Sequence, residues 1–249
     1  MTQKDFWNKV WSDFNPIEVT PESFKKTLNK SEREFVQRLE SLQGKRVLEI
    51  GCGNGFLAVY LAKLGSFVTA VDSSVHSVKN TMALAQYNKV ENKVSAFQSD
   101  ALKLNDIGKD FDWVVGKFIL HHVEPFQDFT DVLFRILSKE GRGLFLENNS
   151  RSPILMFFRT FLTGRFGVPK YGDKEEYPLQ PSEIQMLKNR FRAVEVYYPD
   201  FYFFKLLNTY VFKQIKFWSL CFNNLDDFFY KHVPFVHKYS YRQILEIKK

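Results

Sequence analysis

Arg46-Val47-Leu48-Glu49-Ile50-Gly51-Cys52-Gly53-Asn54-Gly55-Phe56-Leu57-Ala58-Val59-Tyr60-Leu61 passes from a five-residue apolar run through a glycine cluster into a helical apolar pattern that ends at Gly65. That is the order strand, loop, helix. Glycines permit positive φ and let a ligand come close to the backbone, and the helix start that follows offers free N–H groups. The spacing is Gly-x-Gly-x-Gly, and Phe56 stands where the dinucleotide fingerprint wants its third glycine, which counts against a nicotinamide cofactor. Glu49, two residues before the first glycine, suits an ammonium group better than a pyrophosphate.

Reading outward, Phe67-Val68-Thr69-Ala70-Val71 is a second strand ending at Asp72-Ser73, placed to accept hydrogen bonds from two ribose hydroxyls. Val94 to Phe97 is a third, followed by Ser99-Asp100-Ala101, where a carboxylate can accept from an adenine amino group. Phe111 to Val115 is a fourth, running into Gly116-Lys117-Phe118, and Gly143 to Glu147 a fifth. Helices are expected over 75–88 and 126–138. Ala193 to Tyr198 and Ser240 to Ile247 complete seven strands. The alternation predicts an α/β fold: a doubly wound, mostly parallel, Rossmann-like sheet whose carboxyl edge carries the ligand.

The chain is 249 residues long with two cysteines, Cys52 and Cys221. That length buries a full core in one domain without disulfides, and no Cys/His cluster has metal-ligand spacing. Thr2-Gln3-Lys4-Asp5 does not read as a signal peptide, and no uncharged stretch is long enough to span a bilayer, so a cytoplasmic protein is expected. The organisation expected is 1–43 as N-terminal helices or a lid, 44–150 as the cofactor-binding core, 151–190 as an inserted cap punctuated by Gly164, Gly167, Pro169, Gly172, Pro178 and Pro181, and 191–249 as the last strands with an amphipathic helix. Helices packed outside the sheet are the favoured reading of 1–43, and a lid the alternative. Residues 1–150 carry as many acidic as basic side chains, so the whole net charge of +7 belongs to 151–249, as do most of the 27 Phe. Lys205 to Phe222 reads as one basic amphipathic helix, which leaves packing on the core, lining an apolar pocket and lying on a membrane surface open.

Glu49 to Gly55 with Asp72, Asp100 and Gly116-Lys117-Phe118-Ile119-Leu120-His121-His122-Val123 resembles the class I S-adenosylmethionine-dependent methyltransferases over about residues 44–148. The resemblance implies a methyltransferase holding S-adenosylmethionine, released as S-adenosylhomocysteine. It implies the methionine part on Glu49, Gly51, Cys52, Gly53, Asn54 and Gly55, the ribose on Asp72 beside Ser73, the adenine on Asp100 beside Ala101, and Lys117 and Phe118 at the fourth strand end. The Leu-His-His-Val string is similar to the branch that methylates quinones and other small molecules.

Displacement at an activated methyl needs proximity more than acid-base help, and a base is needed for a phenol but not for a carboxylate. His121 and His122 are the candidates, although two neighbours at a helix start cannot both face a site. Arg151, Arg159 and Arg165 are candidates for binding an anionic acceptor, since guanidinium forks grip carboxylates. The adenine-methylating motif Asn/Asp-Pro-Pro-aromatic is absent, which disfavours a nucleic-acid substrate. The leading expectation is O-methylation of a carboxylate or phenol on a hydrophobic small molecule or modified peptide natural product. The alternatives are a lipid-like quinone precursor methylated at a membrane surface, with peripheral membrane contact, and a non-catalytic binding module.

Overall fold

The computed structural model describes residues 3–162, 165, 177–212 and 216–249. Helices α1 (Gln3–Val10), α2 (Pro21–Thr27) and α3 (Lys30–Gln37) precede the first strand, β1 (Arg46–Ile50). Then follow α4 (Phe56–Lys63), β2 (Phe67–Asp72), α5 (Val75–Tyr87), β3 (Val94–Gln98), β4 (Phe111–Lys117), α6 (Phe126–Ile136) and β5 (Leu137–Asn148). The chain closes with α7 (Pro153–Leu162), α8 (Pro181–Arg190), β6 (Ala193–Tyr197), α9 (Phe204–Val211), α10 (Lys216–His232) and β7 (Arg242–Lys248).

The seven strands form one sheet in the order β3-β2-β1-β4-β5-β7-β6. β7 runs antiparallel to both its neighbours, and the pairs among β1 to β5 are parallel. Alternation along β1 serves both faces: Val47 joins the cluster with α2, α3 and α4, whereas Leu48 and Ile50 join the one with α6 and α8. β1 lies between β2 and β4, whose connections leave on opposite faces, so a crevice opens beyond the carboxyl ends at this point. Leu57 to Ala62 are all buried, as an apolar helix enclosed between the sheet and outer helices requires. Two capping boxes fix the helices ahead of it, Thr20 with Ser23 at α2 and Asn29 with Glu32 at α3.

The single helix expected from Lys205 to Phe222 is two helices, α9 and α10. Asn208 Nδ2 donates to Ser219 Oγ at 2.9 Å although the two lie 11 residues apart. One straight helix would hold them roughly 16 Å apart. The Asp226 carboxylate of α10 also accepts the N–H groups of Phe203, Phe204 and Lys205, capping α9 from its neighbour. Within the stretch 151–190, α8 packs through Ile184 and Leu187 into the same core as α6, and α7 packs through Leu155 and Met156 with Leu206 and Tyr241. Gly164, Gly167, Pro169, Gly172 and Lys213 lie outside the described residues.

Candidate active site

The loop after β1 is held by its own backbone geometry. Gly55 starts α4 at φ +79, and a Cβ there would sit 2.6 Å from the Thr81 Cα, so both conformation and space call for glycine. Gly53 is approached by the Trp11 ring, which would lie 3.2 Å from a Cβ, and its N–H donates to Asp72 Oδ2 at 3.0 Å. Asp72 Oδ1 takes the Ser74 N–H at 2.9 Å. Thus the residue that ends β2 is fastened to the loop that ends β1.

A cavity of about 770 Å³ opens over this edge, and Glu49, Gly51, Cys52, Gly53, Asn54, Asp72, Ser73, Asp100, Ala101, Lys117, Phe118 and His122 all line it. Gly55 stands behind the loop as the start of α4. Glu49 is buried, and its Oε2 has no hydrogen-bond partner. Burial pushes its carboxyl up to about 8, the nearby Asp72 charge adds to this, and Lys117 opposes it. Burial likewise raises Asp72, against the N–H groups of Ser74 and Gly53. Asp100 Oδ1 accepts the Leu102 N–H at 2.8 Å. Lys117 pairs with Glu32 Oε1 at 3.2 Å, and Glu32 also lines the cavity. Four carboxylates (Glu32, Asp72, Asp100 and Glu124) against one lysine make the wall acidic, and Glu49, pushed up to about 8, holds its proton at neutral pH until a cation meets it.

That donor set tests the expected cofactor. An orphaned buried carboxylate wants a cationic donor, as the ammonium of an amino acid provides, and further lone pairs on Asp72 and Asp100 can take hydroxyl and amino donors. A glycine loop with close backbone approach admits the chain between them. The residues present fit S-adenosylmethionine, a cation that matches the acidic wall.

The other side of the cavity is aromatic. After β4, Phe118 takes φ +55, a left-handed conformation unusual for a large side chain, and residues 120–122 form a 3-10 turn. His121 turns inward to Glu147, with Nδ1 and Oε2 2.6 Å apart, while His122 lines the cavity. The Trp7 ring meets His122 edge-on at 5.7 Å and stacks on Trp11 at 6.1 Å. α1 therefore brings Trp7 to the cavity. Ser74 Oγ to Asn8 Oδ1 (2.7 Å) and Asn80 Nδ2 to the Trp11 carbonyl (2.9 Å) latch it. Trp7, Trp11 and Glu32 were not among the expected site residues. The two tryptophans four apart share a helix face, but nothing in their spacing says what that face meets.

The three arginines expected to bind an anionic acceptor are not brought to the cavity. Arg151 and Arg165 are exposed, and Arg159 donates to the Tyr241 hydroxyl at 2.7 Å. Among the described residues, none from 151–249 lines the cavity. No cluster of described residues could hold a metal ion, and no described helix is long and apolar enough to cross a membrane.

Residues 47–141 match the family model described as "Methyltransferase domain". A ubiquinone biosynthesis O-methyltransferase of Bordetella avium is 27% identical over 186 residues, covering 72% of this chain and 71% of that protein. The mitochondrial ubiquinone biosynthesis O-methyltransferase of Schizosaccharomyces pombe is 32% identical over 119 residues, which is 48% of this chain and 43% of that protein. The match therefore spans less than half of the fission-yeast protein. Among solved structures, geranyl diphosphate C-methyltransferase from Streptomyces coelicolor A3(2), in complex with S-adenosyl-L-homocysteine, superposes with a TM-score of 0.62 at 13% identity over 100% of this chain and 98% of that one. Magnesium protoporphyrin IX methyltransferase from Synechocystis, with bound S-adenosylhomocysteine, gives 0.58 at 15% over 99% and 97%.

Proposed function

We propose that this chain, whose residues 47–141 match a methyltransferase-domain model, is a class I S-adenosylmethionine-dependent methyltransferase that O-methylates a phenol on a hydrophobic, quinone-precursor-like aromatic. The observation that carries this reading is the aromatic wall of Trp7, Phe118 and His122 facing an acidic cofactor side in one cavity. Flat apolar rings suit such a wall, and a neutral phenol escapes the repulsion that a carboxylate would meet from Asp72, Asp100 and Glu124. The names carried by the ubiquinone relatives support the same acceptor class.

Bound at the glycine loop, S-adenosylmethionine supplies a methyl group already activated by its sulfonium charge. The chain contributes the rest. Glu49 would hold the ammonium, Asp72 the ribose hydroxyls and Asp100 the adenine. Trp7 and Phe118 would fix the plane of the acceptor and exclude water. His122 would take the phenolic proton as the oxygen attacks, a task that a free phenol with a pKa near 10 cannot leave to bulk water at neutral pH.

The test is to incubate the protein with methyl-labelled cofactor and catechol and identify the product by mass. A labelled O-methyl ether, lost in His122→Ala, is expected. Label on a ring carbon, or label on the carboxylate instead of a hydroxyl when 3,4-dihydroxybenzoate is supplied, would overturn the phenol reading.

A further inference from the structure

The turn that presents His122 is held from behind by a buried acid that touches nothing in the cavity. Glu147, near the end of β5, is fully buried. Its Oε1 accepts the N–H groups of Ile119 at 2.8 Å and Leu120 at 2.7 Å, and its Oε2 meets His121 Nδ1 at 2.6 Å. The His121 side chain is only 1% exposed. The three partners lie on three consecutive residues, directly between Phe118 at its positive φ and His122 at the cavity.

Burying a carboxylate is costly, and an amide or hydroxyl could cap two backbone N–H groups at less expense. What a carboxylate alone can do is accept on both oxygens at once. A glutamine that keeps its oxygen on Ile119 and Leu120 must turn its NH₂ toward His121, where only an unprotonated Nδ1 could receive it. Glutamate therefore specifies the Nδ1–H form of His121 as well as the turn. With His121 held inward, the following backbone step directs the next ring outward, and the two rings lie 4.1 Å apart.

We propose that Glu147 is the positioning residue of the acceptor wall: by taking the Ile119, Leu120 and His121 donors together it holds the 118–122 turn in the arrangement that turns His121 inward and His122 to the cavity. This rests on the proposed function only in taking that wall as the acceptor side. Glu147 is 0% exposed, and its hydrogen bonds go to the turn and not to the glycine loop or Asp72, so its effect reaches the reaction through the turn.

The experiment compares wild type, Glu147→Gln and Glu147→Ala by ¹⁵N imidazole NMR, calorimetry with S-adenosylhomocysteine, and catechol turnover. In the wild type His121 should carry its proton on Nδ1. In Glu147→Gln it should move to Nε2. Affinity for S-adenosylhomocysteine should stay within about twofold while kcat falls on the order of tenfold to a hundredfold, the scale of a small misplacement of a reacting group. Glu147→Ala should also make His121 reactive to diethyl pyrocarbonate, from which its burial shields it in the wild type. Persistence of the Nδ1–H form in Glu147→Gln, or a parallel loss of kcat and cofactor affinity, would overturn the assignment. If Glu147→Ala does not fold, Glu147→Gln still decides. If wild type leaves catechol unmethylated, the acceptor reading fails, and the tautomer, calorimetry and modification arms still judge Glu147.

Discussion

At the scale of single residues the site is governed by two groups in opposite surroundings, Glu49 buried with one oxygen unpartnered and His122 among rings. Glu49 titrates near 8 chiefly because it is buried, against 4.5 in an exposed chain. The folded protein then holds a proton that the unfolded chain has already lost, so this contribution to stability is present below the ordinary carboxylate range and is lost as pH climbs through about 8. Melting of the ligand-free protein should therefore drop in temperature between about pH 5 and about pH 8, and Glu49→Gln should flatten that slope. Cofactor binding at pH 7 should release a proton, read from calorimetry in buffers of different ionisation enthalpy. Equal heats in all buffers would contradict the pairing of Glu49 with an ammonium. For His122, the catechol rate should rise with pH and then level, the behaviour of a general base, whereas a flat profile in the wild type would remove it from that role.

At the scale of elements, the strand ends explain why so much of the site was legible. Glu49, Asp72 and Asp100 each close an apolar run, and the parallel connections of a doubly wound sheet bring such ends to one edge whatever the side chains between them. The helices were less legible because their partners are distant in sequence. Trp7 and Trp11 share a face of α1, but only the latches from Ser74 and Asn80 bring that face to the cavity. The apolar pattern from Lys205 to Phe222 has a helical period throughout and carries no proline or glycine to mark the break between α9 and α10. Asp226 joins the two, and burial holds its carboxyl up near 6 while it takes three N–H groups at the start of α9. Asp226→Ala should lower unfolding stability by about 1–2 kcal/mol, the usual cost of a lost helix cap, measured by urea titration with the slope unchanged. A change within a few tenths of a kcal/mol would mean that water caps α9 equally well.

At the scale of the whole molecule the charges are segregated: the surplus of +7 lies in 151–249, and the cavity wall is acidic. The protein should consequently prefer catechol to 3,4-dihydroxybenzoate in kcat/KM, and the gap should narrow as salt screens the wall carboxylates. A preference for the acid at low salt would restore the anionic acceptor. The sequence by itself determined the sheet, its carboxyl edge and the residue types along that edge, because strand period, glycine spacing and terminal carboxylates are local signals read within a few residues. Only the tertiary structure decided which side chains the edge meets. It turned His121 inward to Glu147 and left His122 at the cavity, brought Trp7 to the mouth from the far end of the chain, and set Arg159 against Tyr241. Each of these is a contact between residues 26 or more positions apart, and no local period encodes which distant partner will fill the space beside a side chain.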